Sequence, residues 1–323
     1  MGVSQISAAK IVKGSLNLEH FPVSGLLSTH SADALITDSA AAGTALATGH
    51  KTNNGMISLL PSGKPVKTIV EYAIENNMAT GIVVSSSITH ATPATFIAHI
   101  DSRKKHNKIA EQIAKSQVDL LFGGGLSYFL AKESSASLRT DNKNLITELK
   151  KHRKVLQTEQ DFLDFNSSDP VIGLFALKHP GKAGIRKPSL TQLTKKAIEL
   201  LSTSDKDGFF LMVEGSQIDW AGHQNDQSYM LNEMLDFDNA LDIGLNYAKK
   251  DPKTLVIVTS DHETGGFAIH DGSFDKKQIS HSSFASTHHT ATMVPIFAYG
   301  SGSTIFSGIH DNTYVGKSLI EYY

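Results

Sequence analysis

Short β-branched apolar runs recur along the chain between stretches of helical periodicity. Gly81-Ile82-Val83-Val84-Ser85 is one, and Asp119 to Phe122, Phe209 to Val213 and Thr254 to Thr259 share its character. Runs this short, apolar throughout rather than alternating, suit strands buried on both faces, as in a parallel sheet. Helical patterns fall between them at Val66 to Asn76, Lys108 to Lys115, Leu190 to Leu201 and Tyr229 to Lys249. Strands alternating with helices predict an α/β fold: a three-layer αβα sandwich with a mostly parallel central sheet.

The remaining stretches read as connections. An amphipathic helix is expected at Ile6 to Val12, followed by a loop through Pro22 and Gly25. Residues 131–170 are polar, with Lys-rich and Ser-rich patches, and are expected to form helices and loops at the rim. Lys178 to Pro188 is a Gly/Pro/Lys loop, and His270 to Thr287 a polar connection over the carboxyl edge of the sheet. Gly123-Gly124-Gly125 reads as a flexible turn. No repeat, low-complexity tract or sharp shift in composition divides the chain, so one domain over 1–323 is expected, with rim insertions at about 131–170 and 270–287.

A formal net charge of −2, with basic residues dispersed, gives no sign of nucleic acid or an anionic membrane surface as partner. No apolar run approaches the roughly 20 residues that span a bilayer. The first residues, Met1-Gly2-Val3-Ser4-Gln5, do not read as a signal peptide. There is no cysteine, which excludes thiolate catalysis, disulfides and Cys-type zinc sites. Any zinc would be held by His, Asp and Glu, for which fifteen histidines provide candidates.

The stretch around which the rest of the chain is read is Thr37-Asp38-Ser39-Ala40-Ala41-Ala42-Gly43-Thr44-Ala45. Ala40 to Ala47 is a strong helix former, which places Ser39 at a helix N-terminus, where free N–H groups favour an anion. Two roles are open: Asp38 or Ser39 caps the helix, or Ser39 is a nucleophile toward something negatively charged. Gly49-His50-Lys51-Thr52 is not a nucleotide-binding loop, because His50 separates the glycine from the lysine.

Ligands of open α/β sheets sit beyond the carboxyl ends of the strands, and here three apolar runs end in chemistry-bearing residues. They lead to Thr89-His90-Ala91-Thr92, to Glu214 and to Asp261-His262-Glu263. Asp219 and His223 stand at i and i+4, so on a helix they share one face, about 6 Å apart, and can bind one ion together. Otherwise they are an exposed helix pair. Glu214 would face a neighbouring ion, Asp261-His262 is a second acidic and imidazole pair, and His288-His289 can return another imidazole to the same edge. Two such ions could clamp the attacking and leaving oxygens of an in-line phosphoryl displacement, one of them lowering the pKa of the Ser39 hydroxyl. Arg103, eleven residues after Thr92, is suited to grip two phosphate oxygens.

With these motifs in order, the sequence resembles the alkaline phosphatase family along nearly its whole length. The segments TDSAAAGTALATGHKTNNG, SSITHATPATFIAHIDSR, MVEGSQIDWAGH, VIVTSDHETGG and HHTATMVPIFAYG carry the resemblance. It implies Ser39 as the phosphorylated nucleophile and Arg103 as the phosphate-binding residue. It implies a first zinc on Asp219, His223 and His289, a second on Asp261 and His262 with Ser39, and a magnesium ion on Thr92 and Glu214. His90 stands where the best-known bacterial members have an Asp near the magnesium, and Trp220 where they have a Lys near the phosphate. By charge, the first change is expected to weaken magnesium and the second to loosen phosphate.

Family members also begin with an apolar strand whose terminal D-G-x-G turn supplies an Asp between the second zinc and the magnesium. Met1 to Ser7 resembles only the second half of that motif, so the strand and its Asp are expected to be missing and one central sheet position empty. The implied activity is hydrolysis of small-molecule phosphate monoesters by a periplasmic or secreted homodimer. The competing readings are a phosphodiesterase or sulfatase on the same scaffold, and a non-catalytic zinc-binding relic.

Overall fold

A computed structural model describes all 323 residues. The chain opens with α1 (Val3–Lys13), which buries Gln5, Ala8 and Ala9 and ends at Gly14, whose φ of +95° only glycine adopts readily. Then come β1 (Val23–Ser28), α2 (Ser39–Thr48), α3 (Ile69–Glu75), β2 (Ala79–Ser87), α4 (Ala91–Thr95), α5 (His106–Lys115) and β3 (Leu120–Gly124). The middle of the chain holds α6 (Leu145–Leu149), β4 (Lys154–Leu156), α7 (Glu159–Asp164), β5 (Val171–Leu174), α8 (Leu190–Ser202), β6 (Phe209–Glu214), α9 (Gln217–His223) and α10 (Gln227–Ala248). The last part runs β7 (Leu255–Val258), β8 (Glu263–Thr264), β9 (Phe267–Ser273), β10 (Gln278–Phe284), β11 (His289–Thr290), β12 (Val294–Gly300), β13 (Gly308–Asp311) and α11 (Thr313–Ile320).

Five strands form an all-parallel sheet in the order β4-β5-β3-β2-β6. β2 is buried along its whole length, as its unbroken apolar run requires. Ile82 and Val84 join a core with α2, α3, α4 and α5, while Val83 packs to the other side with α8. Successive strand residues point to opposite faces, so this division is what makes the sandwich three-layered.

A second sheet, β13-β1-β12-β7, is parallel except for β12, which runs antiparallel to both its neighbours. The unpaired edges of β6 and β7 line one cavity of about 860 Å³ between the two sheets. β6 is only half-buried, although it adjoins fully buried β2. This cavity forms a slot between the two sheets.

The small residues of α2 are explained by close packing. A Cβ on Gly43 would lie 2.8 Å from Thr95 Oγ1 in α4, and one on Gly316 of α11 would lie 2.8 Å from Ala45 O. Larger side chains would push α2 outward and move Ser39 with it.

Two polar stretches differ from the sequence expectation. The 131–170 region carries, besides helices and loops, β4, the edge strand of the parallel sheet. The His270 to Thr287 connection contains most of the β9–β10 hairpin. Both were obscured by composition: β4 is three residues long, and the hairpin is largely exposed, with Phe267 and Ile279 as its buried apolar anchors. Leu35, four residues before Ser39, lies in irregular chain and is exposed.

Candidate active site and metal centre

The carboxyl ends of β2, β6 and β7 and the N-terminus of α2 meet at one end of the slot, where Ser39, His90, Thr92, Glu214, Asp219 and Asp261 line the same cavity. Asp38 is the helix cap: its Oδ1 accepts the Ala41 N–H at 2.9 Å. Ser39 is thereby the first helical residue, and it is buried. Its Oγ lies 3.0 Å from His262 Nε2, and that nitrogen is 3.1 Å from Asp261 Oδ2. The other carboxylate oxygen of Asp38 holds Arg103 Nη1 at 3.0 Å and accepts the Gly55 N–H. Arg103 itself lies in a turn beyond α4.

α9 places Asp219 and His223 on one face, with Oδ1 and Nε2 3.3 Å apart. His289 Nε2 approaches the same oxygen at 3.4 Å and His262 Nδ1 at 4.0 Å. Ligating atoms of Asp219, His262 and His289 all lie within 4.8 Å of one another. The His262 and His289 rings stack with centroids 3.5 Å apart, while neighbouring His288 is exposed. His223 Nδ1 donates to Thr287 O at 2.7 Å, and His289 Nδ1 to Thr37 O at 2.8 Å. A carbonyl accepts only, so both rings carry the proton on Nδ1 and turn Nε2 toward Asp219, an arrangement typical of metal-binding histidines.

Electrostatics distinguish the three acids. Burial pushes Glu214 up to about 7, and its hydrogen bonds from Ser216 and Thr92 only partly offset that. Burial also opposes ionisation of Asp219, yet hydrogen bonds from His223 and His289 hold it well below the ordinary range. Asp261 is likewise penalised by burial and brought down by His262 beside it. His223 rises to about 9 through its bond to Asp219. His90 is driven down to about 3, first by burial and then by Arg103, and its buried Nδ1 has no partner. Three neighbouring half-buried carboxylates are costly to keep ionised if left unpaired. The imidazoles offset part of that cost, and the oxygen and nitrogen donor set suits zinc and magnesium.

Of the residues singled out from the sequence, Ser39, His90, Thr92, Glu214, Asp219 and Asp261 line the cavity, His223, His262 and His289 converge on Asp219, and Arg103 is held by Asp38, whereas His288 faces solvent. Trp220 follows Asp219 on α9, and its ring centroid is 5.9 Å from that of His90. Sequence spacing gave no signal for Thr264, whose hydroxyl bonds Asp219 and lies 3.2 Å from His262 Nδ1. Nor did it mark His179, in the Gly/Pro/Lys loop, with its ring 4.6 Å from Trp220.

The family model for alkaline phosphatase matches residues 1–280. Alkaline phosphatase 4 of Bacillus subtilis is 42% identical over 288 residues, covering 83% of this chain and 60% of that protein. Alkaline phosphatase 3 of the same organism is 36% identical over 364 residues, covering 88% and 77%. The chain thus spans 60% of the length of the first of these relatives, and 48% of an alkaline phosphatase from Schizosaccharomyces pombe. The structure of alkaline phosphatase from the Antarctic bacterium TAB5 superposes with a TM-score of 0.90 at 39% identity, covering 99% of this chain and 94% of that one. No helix is long and apolar enough to cross a membrane. By sequence and by fold, the chain belongs to the alkaline phosphatase family.

Proposed function

We propose that the protein hydrolyses small-molecule phosphate monoesters through a phosphoserine on Ser39, as an enzyme dependent on two zinc ions and one magnesium ion. The observation that carries this reading is Ser39 at the start of a buried helix, 3.0 Å from His262 and registered to Arg103 through Asp38.

Asp219, His223 and His289 are the residues to hold the first zinc; Asp261 and His262, with Ser39, are those to hold the second. Thr92 and Glu214, with His90 beside them, are those for magnesium. When bound, these ions would lower the pKa of a coordinated hydroxyl or water and neutralise charge on phosphate oxygens.

The chain's own groups do the rest. His262 holds the Ser39 hydroxyl, and the free N–H groups at the start of α2 favour the incoming dianion. Arg103 takes two non-bridging oxygens, its guanidinium oriented by Asp38, while Trp220 forms one wall. Ser39 Oγ attacks phosphorus as the ester P–O bond breaks, and the alcohol leaves with a proton. Water then attacks the phosphoserine, releasing phosphate and restoring the hydroxyl.

The reading extends to an exported homodimer, periplasmic or secreted, on the strength of the resemblance alone. Turnover of p-nitrophenyl phosphate, its diester and the corresponding sulfate tests the reaction. The monoester should be turned over fastest, and Ser39→Ala should abolish both turnover and covalent labelling. Preference for the diester or sulfate would establish the competing hydrolase, and a Ser39→Ala variant that loses nothing would establish the relic.

A further inference from the structure

We infer that His179 is a positioning residue for the substrate wall, fixing Trp220 and His90 in place from a loop that the catalytic scheme does not otherwise use. The inference rests on the phosphatase reading.

Three rings meet edge to face at the rim of the site. His179 lies 4.6 Å from Trp220 at an interplanar angle of 76°, and 5.9 Å from His90 at 83°. His90 and Trp220 are themselves 5.9 Å apart at 76°, so each ring contacts the other two. Edge-to-face pairs set mutual orientation because the positive ring edge meets the negative face. The Ser87 N–H donates to His179 Nδ1 at 3.1 Å, which anchors the ring to the end of β2, three residues before His90. That acceptor role places the neutral ring's proton on Nε2.

The segment that carries His179 is held to the scaffold rather than left as a free loop. Gln217, buried on α9 two residues before Asp219, donates from Nε2 to Pro180 O at 2.9 Å, to Gly181 O at 3.2 Å and to Ser85 O at 2.8 Å. Tyr229 Oη donates to Gln217 Oε1 at 2.6 Å. Farther along, Glu233 on α10 accepts the Ala183 N–H and pairs with buried Arg186. Gly124 gives the segment room, since a Cβ there would lie 2.4 Å from Lys178 O and 2.9 Å from Pro180 Cδ. β2, β3, α9 and α10 therefore all fix where His179 stands, although its outer side is exposed. Residues on two of the elements that form the reaction centre thus register the ring against Trp220.

Trp220 is the only tryptophan in the chain, so its fluorescence reports on this contact directly. In metal-loaded His179→Ala, Trp220 should gain a fast anisotropy decay. The KM for p-nitrophenyl phosphate and the inhibition constant of inorganic phosphate should rise about three- to tenfold, with kcat changing less than about twofold. His179→Phe, which keeps a ring edge against Trp220, should restore the slow anisotropy and most of the KM. Should the alanine variant fail to fold, His179→Leu decides by the same readouts. Wild-type anisotropy and KM in the alanine variant would overturn the inference, as would a mobile Trp220 with unchanged KM. A wild-type protein that turns over no phosphate ester would defeat the phosphatase reading and this inference with it, whereas an active wild type with indifferent His179 variants would sink this inference alone.

Discussion

Asp38 touches both the helix that carries Ser39 and the guanidinium of Arg103: one carboxylate oxygen caps Ala41 at 2.9 Å and the other holds Arg103 at 3.0 Å. The candidate nucleophile and the candidate phosphate clamp are registered to each other through this single side chain. Asp38→Asn keeps an oxygen for the cap but removes the charge that orients Arg103. The inhibition constant of inorganic phosphate should therefore rise about three- to tenfold, because a less ordered guanidinium grips two oxygens less well. Asp38→Ala should in addition lose about 1 kcal/mol of stability with the cap. Inhibition by phosphate across both variants, with thermal melts alongside, checks the two effects separately.

Acid and base dependence of the metal-free protein follows from the Asp219 and His223 pair. His223 is raised from 6.5 to about 9 by its bond to Asp219, so the stabilisation it contributes is complete below 6.5 and lost as pH rises through about 9. Asp219 is held below 3.8, so its contribution is present above that value and lost as pH falls through the depressed one. Zinc must displace the proton from His223, so zinc affinity should climb with pH up to about 9, with proton release on binding. Competition against a chromogenic chelator at pH 7, 8 and 9 measures this. A flat affinity would mean that His223 is not a ligand.

The parts of this molecule that could be read from sequence are those whose local pattern and chemistry agree. The apolar run of β2 is recognisable because burial on both faces demands continuous hydrophobicity, and β6 and β7 carry runs of the same character although they are only half-buried. The Asp219 and His223 spacing carries over because a helix converts i and i+4 into one face. β4 and the β9–β10 hairpin escaped because a three-residue edge strand and a solvent-facing hairpin have little apolar surface to bury. His179 and Thr264 escaped for another reason. Their contacts with Trp220, and with Asp219 and His262, are made by tertiary packing, which no spacing along the chain encodes.

His90 and Trp220 should tune the metal and the phosphate independently. His90 is neutral near pH 7, since burial brings it to about 3, and its Nδ1 is unpartnered. His90→Asp places a carboxylate beside Thr92, and magnesium activation should then saturate at about tenfold lower concentration. Trp220→Lys adds a cation on α9 and should lower the phosphate inhibition constant about three- to tenfold while slowing turnover through tighter product binding. Activity titrated against magnesium and against phosphate measures both. Curves that coincide with wild type would remove these two residues from the site.

The slot between β6 and β7 presents two unpaired strand edges to a cavity of about 860 Å³ that opens beside Ser39 and Asp261. A parallel strand inserted there would join the two sheets into one and supply ladder partners to both edges. It would also cover apolar side chains such as Phe209, Leu211 and Val256, and removing such surface from water stabilises by roughly 25 cal/mol per Å². An apolar strand of five or six residues, fused ahead of Met1 or supplied as a peptide, should raise the melting temperature by about 5 °C or more. Amide exchange in β6 and β7 should slow at the same time, because a paired edge exchanges only on opening. If the strand ends in an Asp, zinc content and turnover should rise as well, since the slot leads to Asp261. An unchanged melting temperature together with unchanged exchange in those strands would show that the slot is not a strand site.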